Sequence, residues 1–282
     1  MTCKGFHEMQ KTAVRLRLDL LEMFGCDGMR TGHWGGSSSL CEIMTALYWY
    51  KMKNDPSDPE WADRDYLIMS KGHSVPAQYA ALCERGYFPR EELARFIFFG
   101  TMLSGHPEMD RTPGVEANTG SLGQGLSVGL GLGLAFRQDN RSNKVYVIVG
   151  DGEQNEGQIW EAAMAIAAFG LTNVRVIVDC NGVQSTGPVA DVLPNTQIPE
   201  KWSSFGWKVF TCDGHNVQEI CEALDRMDEA DSPAVLLAKT VKGKGVSFTE
   251  GLASFHNYAF KPEEYAAAKQ ELAAWLAKEE AR

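Results

Sequence analysis

The sequence lacks any long apolar run: none of its 282 residues belongs to a stretch of about 18 uncharged apolar residues. Its first residues also lack the apolar segment of a signal peptide. It has no block of basic charge, because 27 Lys and Arg stand against 37 Asp and Glu, for a net charge of −10. These absences argue against a membrane span, an anionic membrane surface or nucleic acid as the main partner, and we expect a cytoplasmic protein.

Paired cysteines are also missing, since the seven cysteines are scattered and none forms a C-x-x-C motif. A disulfide framework and a structural zinc site are therefore not expected. The sequence contains no Pro/Ser-rich linker, no low-complexity tract and no internal repeat. No G-x-G-x-x-G or Walker loop follows a predicted strand, which disfavours nicotinamide binding and nucleotide hydrolysis. We expect one domain covering residues 1–282.

The first half of the chain has the apolar spacing of helices. Residues 6–24 and 39–52 each predict an amphipathic helix. Residues 121–136 (SLGQGLSVGLGLGLAF) contain five glycines among apolar residues. Glycine costs a surface helix about 1 kcal/mol relative to alanine, so we predict a buried helix whose backbone closely approaches a neighbour.

The second half alternates short β-branched runs with helical patterns. Strands are predicted at residues 144–149, 174–179, 208–211 and 234–239, and helices at 158–169, 217–227 and 263–278. This alternation predicts an α/β fold, with a parallel sheet flanked by helices on both faces.

Two predicted strands end in polar loops that suit a metal–diphosphate site. Gly150-Asp151-Gly152 follows the first strand, and Asn181 follows the second strand 30 positions later. In neighbouring parallel strands both side chains reach the same edge of the sheet. A carboxylate, an amide oxygen and the Val183 carbonyl are hard ligands that suit Mg²⁺ or Ca²⁺ completed by phosphate. A lone Gly-Asp-Gly is more often a plain turn, and Asn181 is what favours the metal site.

The glycines beside Asp151 would let backbone N–H groups approach a diphosphate. The helix predicted after Gly157 would add its N-terminal dipole.

The sequence around these loops resembles the transketolases. GDGEQNEGQIWEAAMA followed by VDCNGVQSTG is similar to the thiamine-diphosphate motif. The motifs GHWGGSSS (32–39), MSKGHSVPAQYAAL (69–82), GHPE (105–108), NTGSLGQGLS (118–127) and KTVKGKGVSF (239–248) resemble transketolase motifs in the same order. The similarity extends from about residue 10 to residue 260 and implies the thiamine-diphosphate-binding (PP-type) fold.

The resemblance implies a role for each matching position. The metal ligands would be Asp151, Asn181 and the Val183 carbonyl, and the diphosphate contacts Gly150, Gly152 and His73. Gly120 and Leu122 would contact the aminopyrimidine ring. Glu156 and Glu161 match carboxylates of a proton relay between the two active sites of a dimer. His33, His106 and His256 match histidines of the sugar channel, and Lys242 matches a charge near the diphosphate.

His215, in an Asp-Gly-His-Asn turn, fits no such motif and is interpreted as structural.

The implied cofactors are thiamine diphosphate and Mg²⁺, with Ca²⁺ or Mn²⁺ as substitutes. Cleavage beside a ketose carbonyl needs an electron sink, which thiamine supplies, and histidines suit proton transfer near neutral pH. Transketolases of full length continue into a pyrimidine-binding domain and a C-terminal domain. The sequence lacks both, so we expect a split enzyme completed by a second chain in an α2β2 assembly, acting on small sugar or sugar-phosphate substrates.

Three departures leave the substrate open. Ser185 and Thr186 stand where many relatives carry Ile and Asp, Trp34 follows His33, and Asn257 follows His256. The leading hypothesis is a transketolase subunit that transfers a two-carbon ketol unit from a ketose to an aldose. The alternatives are a deoxyxylulose-phosphate-synthase-like or specialised acyl or ketol transferase, and a regulatory subunit without catalysis.

Overall fold

A five-stranded parallel sheet in the order β1-β2-β3-β5-β4 forms the centre of the fold. The structure is a computed structural model that describes residues 5–28, 30–195 and 197–281. The strands are β1 (Tyr66–Met69), β2 (Val145–Gly150), β3 (Val174–Cys180), β4 (Lys208–Asp213) and β5 (Ala234–Lys239). The predicted neighbours β2 and β3 do pair, with Gly150 opposite Asp179. Their carboxyl ends therefore lie side by side, as the sequence predicts.

Helices cover both faces of the sheet. They are α1 (Phe6–Phe24), α2 (Trp34–Ser38), α3 (Cys41–Ala46), α4 (Val75–Arg85), α5 (Gln124–Gln138), α6 (Gly157–Ala168), α7 (Val189–Val192), α8 (Ile198–Ser204), α9 (Val217–Asp228) and α10 (Pro262–Glu280). Side chains alternate across each strand, so Val145, Val147 and Val149 pack in the core beneath α5 and α6, whereas Tyr146 and Ile148 pack beneath the layer of α1, α3, α4 and α9. The α/β architecture with both faces covered is confirmed.

Helix α5 explains the glycines of residues 121–136. A Cβ added at Gly125 would lie 2.5 Å from the Ser70 Cα, and one at Gly129 would lie 2.6 Å from a Val147 methyl group. A Cβ at Gly133 would meet a Val174 methyl group at 2.4 Å. Glycines at every fourth position thus let the helix backbone rest directly on the strands. The predicted close approach is confirmed, but complete burial is wrong, since the opposite face is exposed.

Other boundaries differ from the sequence prediction. The helix predicted at 39–52 is interrupted: α2 ends at Ser38, α3 begins at Cys41, and the chain then widens into a π-helical turn at Leu47–Lys51. Strand β1 was not predicted, because its four residues (YLIM) are too few to establish a period. Among the described residues, no helix is long and apolar enough to cross a membrane.

Candidate active site

The loops after β1, β2, β3 and β5 enclose a cavity of about 460 Å³ at the carboxyl edge of the sheet. Of the predicted site residues, all except Glu161 line it: His33, His73, His106, Gly120, Leu122, Gly150, Asp151, Gly152, Glu156, Asn181, Val183, Lys242 and His256. A larger cleft of about 860 Å³ beside β4 and β5 is lined by none of these residues. The sheet topology therefore brings distant sequence motifs to one place.

Glu161 lies outside this cavity. Its side chain is exposed on α6, whereas Glu156 precedes the first turn of that helix and reaches the cavity. The two carboxylates, predicted to act together, therefore occupy different environments within this chain. A joint role would need a surface that faces Glu161 from another molecule.

Asp151 is held by the two loops that the sequence predicts to meet. One carboxylate oxygen accepts a hydrogen bond from the Gly152 N–H at 2.8 Å, and the other accepts one from the Gly182 N–H at 2.5 Å. Burial, together with the nearby Asp179 carboxylate, raises the pKa of Asp151. Burial disfavours the charged form of this carboxylate, and a cation placed beside it would stabilise that form.

Asp179 orients the neighbouring amide ligand. The Asn181 Nδ2 donates to the Asp179 carboxylate at 2.8 Å, and the Asn181 Oδ1 accepts from the Val183 N–H at 3.1 Å. Asp179 also accepts from the Lys71 ammonium, the Ser39 hydroxyl and the Thr240 hydroxyl. Burial acts to raise the pKa of Asp179, but the Lys71 charge and these donors outweigh it, and the pKa is lowered. This anion thus fixes which atom of Asn181 faces the cavity.

The donor set fits a hard divalent cation. It consists of the Asp151 carboxylate, the Asn181 amide oxygen and the Val183 carbonyl, all on the cavity wall. No group of three or more His, Cys, Asp or Glu side chains within the described ranges is arranged to hold a metal ion. A site with one carboxylate is consistent with that result and matches Mg²⁺, which keeps most of its ligands as water or phosphate oxygen. These residues therefore fit the cation that the sequence motif implies.

Lys242 contacts both the candidate ligand set and the histidines. Its Nζ donates to the Val183 carbonyl at 3.0 Å and lies 3.1 Å from the His256 Nδ1. Burial, together with the Lys71 charge, lowers the pKa of Lys242 to about 8. The Val183 carbonyl has two lone pairs, so its hydrogen bond with Lys242 leaves one lone pair for a cation.

Four histidines form a cluster over the cavity. The ring centroids of His33 and His73 are 5.0 Å apart, and those of His33 and His256 are 5.1 Å apart. The ring centroid of His106 lies 6.0 Å from that of His33. These rings come from four separate loops of the chain, and all four line the cavity.

The histidine cluster is neutral near physiological pH. Burial is the main cause, and it lowers the pKa of His33 to about 4 and of His256 to about 3, with help from Lys242 and other nearby rings. Burial also lowers the pKa of His73, which lies near the Lys71 charge, and that of His106. A neutral imidazole has one protonated and one free nitrogen, so each ring can donate one hydrogen bond and accept another.

The structure adds site residues that the sequence reasoning missed. Glu153 accepts hydrogen bonds from the Ser70 hydroxyl at 2.6 Å and from the Gly123 and Gly150 N–H groups at 2.9 Å, and so ties three loops beneath the cavity. Lys71 lines the cavity and also donates to the Gly36 carbonyl. Glu153 lies in the motif GDGE and Lys71 in the motif MSKGH. A charged residue inside such a motif is a signal from which both site residues could have been predicted. Gln184 lines the cavity without such a signal.

Residues 10–279 match the family model described as transketolase, thiamine diphosphate binding domain. The chain belongs to the transketolase family. It is 44% identical over 266 residues to the 6-deoxy-6-sulfo-D-fructose transketolase subunit SqwG of Clostridium sp. (strain MSTE9), covering 94% of this chain and 96% of the relative. It is 37% identical to one of the named subunits of apulose-4-phosphate transketolase from Actinobacillus succinogenes, covering 95% of this chain and 97% of that one.

Longer transketolases match over only part of their length. Human transketolase is 32% identical over 249 residues, which are 88% of this chain and 39% of the human protein. The crystal structure of transketolase from Campylobacter jejuni superposes with a TM-score of 0.88 at 30% identity, covering 94% of this chain and 42% of that one. The chain thus spans less than half of these transketolases but nearly all of the relatives named as subunits.

Proposed function

We propose that residues 1–282 form a single thiamine-diphosphate-binding domain that serves as one half of a two-chain transketolase. The reaction would transfer a two-carbon ketol unit from a ketose donor to an aldose acceptor. The observation that carries the proposal is one cavity that combines a hard-cation ligand set with four neutral histidines. Relatives matched along nearly their whole length are named transketolase subunits, which supports a split enzyme.

In this proposal Asp151, Asn181 and the Val183 carbonyl hold Mg²⁺, and the glycines beside Asp151 admit the diphosphate to the backbone. When bound, thiamine diphosphate supplies the electron sink for cleavage beside the ketose carbonyl. Gly120 and Leu122 line the part of the cavity assigned to the aminopyrimidine. Glu156 and Glu161 would act, as the family resemblance implies, as carboxylates of a proton relay between two active sites.

The histidine cluster would move the protons of the sugar. The free ring nitrogen of a neutral histidine accepts a proton from a donor hydroxyl, and the imidazolium so formed returns that proton to the acceptor carbonyl oxygen. We assign these tasks to His33, His106 and His256, and a diphosphate contact to His73. The low pKa values of His33 and His256 keep both rings neutral at physiological pH, so each ring offers a free nitrogen to accept a hydrogen bond and an N–H to donate one.

We propose that the donor is a ketose with an anionic group at the end far from its carbonyl. A sulfonated sugar is the preferred candidate, and a sugar phosphate is the second. The support is the 44% identity to a relative named for 6-deoxy-6-sulfo-D-fructose. Ser185, which departs from the usual family pattern, lines the cavity and offers a hydroxyl. The partner would be a chain with the pyrimidine-binding domain, in a cytoplasmic assembly of two copies of each chain.

The test is purification of the chain alone and of the complex that it forms in its source cells, with the second chain identified by mass spectrometry. Two-carbon transfer is then assayed with a sulfonated ketose, a ketose phosphate and pyruvate as donors. We expect the isolated chain to be folded and inactive and the complex to use a ketose. Robust turnover by the chain alone would refute the split site. Pyruvate as the preferred donor would support the synthase-like alternative, and an inactive complex would support a regulatory role.

A further inference from the structure

A buried charged cluster lies behind the cavity wall. Arg17 of α1 and Glu42 of α3 form a two-pronged ion pair, with N–O distances of 2.8 and 2.6 Å, and neither side chain is exposed. His215, in the loop between β4 and α9, places its Nδ1 3.0 Å from the same carboxylate. We call Arg17, Glu42 and His215 the buried cluster.

The buried cluster holds the loop that carries Lys242. This segment, residues 240–245, is called here the lysine loop. The Val241 N–H donates to the His215 Nε2 at 2.8 Å, and the Arg17 Nε donates to the Lys244 carbonyl at 3.1 Å. The two hydrogen bonds therefore fix the backbone of the lysine loop on both sides of Lys242.

The geometry also defines the tautomer of His215. A backbone N–H can only donate, so the Nε2 that receives the Val241 N–H carries no proton. The proton of the neutral ring is then on Nδ1, which points at the Glu42 carboxylate. Each polar group in this chain of contacts has a directed partner, which holds the ring in one orientation.

Stability alone is a weak explanation for such a cluster. The desolvation free energy of a buried ion pair is about as large as the attraction between its charges. Apolar replacements of such a pair are therefore often equally stable. What an apolar cluster could not do is hold the Val241 amide and the Lys244 carbonyl in fixed positions. The charged cluster is therefore better explained by where it puts the lysine loop.

We infer that the buried cluster, and His215 above all, is a positioning device that aims the Lys242 ammonium into the cavity. The inference rests on the proposed function, because the family resemblance expects Lys242 to provide a charge near the diphosphate. Lys242 is only 2% exposed and contacts Val183 and His256, so a loosened lysine loop would withdraw it from both contacts.

The first test measures Lys242 directly and needs no cofactor. The full chain is treated briefly with acetic anhydride, and acetylation at Lys242 is measured by mass spectrometry relative to the exposed Lys208. His215→Asn keeps a donor toward Glu42 but loses the acceptor for Val241, and should raise the labelling of Lys242 roughly tenfold. His215→Gln keeps an acceptor at the Nε2 position and should protect Lys242 more than His215→Asn does.

A matched control separates positioning from general loosening. Asp228 binds Lys51 and Lys144 near the amino ends of the strands, so Asp228→Asn removes a carboxylate from an ionic network at the opposite edge of the sheet. Its melting temperature should fall while the labelling of Lys242 stays unchanged. Equal labelling in wild type, His215→Asn and Asp228→Asn would overturn the inference.

The second test is a double-mutant cycle on the affinity of the assembled two-chain enzyme for thiamine diphosphate with Mg²⁺, measured by calorimetry. His215→Asn and Lys242→Met should each weaken binding, and the double variant should bind no more weakly than Lys242→Met. Additive losses would mean that His215 acts independently of Lys242, which contradicts the inference. Absence of binding by the wild-type two-chain enzyme would count against the proposed function instead, and the labelling experiment would still decide the role of His215.

Discussion

Two glycines of α5 allow a matched test of how the helix and the active-site floor are joined. Gly125 lies against Ser70, and an added Cβ would be 2.5 Å from the Ser70 Cα and 2.6 Å from its Cβ. Gly131 lies on the exposed face of the same helix, and an added Cβ would meet no atom within 4 Å. We compare Gly125→Ala with Gly131→Ala.

The expected magnitudes follow from two opposing effects. At Gly131, in the interior of α5, alanine gains about 1 kcal/mol of helix propensity over glycine, and at Gly125, the second residue of the helix, it gains no more than that. At Gly125 this gain is opposed by overpacking, which typically costs about 1–3 kcal/mol and here falls on backbone that cannot rotate away. Because the propensity gain at Gly125 is no larger than that at Gly131, Gly125→Ala should be less stable than Gly131→Ala by at least the overpacking cost of about 1–3 kcal/mol.

The same clash should reach the cavity. Ser70 donates to Glu153, which also receives the Gly150 N–H next to Asp151. Displacing Ser70 therefore disturbs the floor of the site, and we expect weaker binding of thiamine diphosphate in Gly125→Ala but not in Gly131→Ala.

Urea unfolding of the full chain, followed by circular dichroism at fixed protein concentration, measures the difference in stability. Calorimetry on the assembled two-chain enzyme measures the cofactor affinity. Equal stability of the two variants would show that α5 is free to move away from β1, and the close packing argued from Gly125 would be wrong.

Three further predictions concern the cavity. Asp151→Ala should abolish Mg²⁺-dependent retention of thiamine diphosphate by the assembled enzyme, because the only carboxylate of the ligand set is lost; unchanged retention in equilibrium dialysis would remove Asp151 from the metal site. His256→Ala should keep cofactor affinity while turnover falls by roughly 10², the scale of one lost proton-transfer group, and a parallel loss of binding would contradict that role. Burial holds the pKa values of His33 and His256 at about 4 and about 3, below the unfolded value of about 6.5. Between these values the unfolded chain binds more protons than the folded chain. The folded state should therefore lose stability as the pH falls from about 6.5 toward 4. The melting temperature should fall less steeply with decreasing pH in His33→Asn than in the wild type. Identical slopes of melting temperature against pH would refute this contribution of His33.

The elements with a clear period were predictable from the sequence. The β-branched runs of β2 and β3 are buried on both faces, as a central parallel strand requires, and their ends place Asp151 and Asn181 together. Local patterns suffice here because side-chain alternation and the direction of a parallel strand are set by neighbours in the chain. The matching motifs then identified the cavity residues, although their chemical roles stay predictions.

Contacts between distant residues were decided only by the tertiary structure. The four residues of β1 become a strand because they pair with β2, and α5 is buried on one face because its glycines meet three strands. Position also separates Glu161 from the cavity that Glu156 lines. No local pattern encodes such neighbours.

His215 illustrates the limit most clearly. The sequence suggested a turn residue, yet its ring joins Glu42, 173 positions away, to the backbone of Val241. A hydrogen-bonding side chain carries no signal of its partner, since the same imidazole serves equally well toward water or toward a buried carboxylate. Which of the two it meets depends on how α3 and the loop after β5 pack around it, and that is settled only when the whole sheet has assembled.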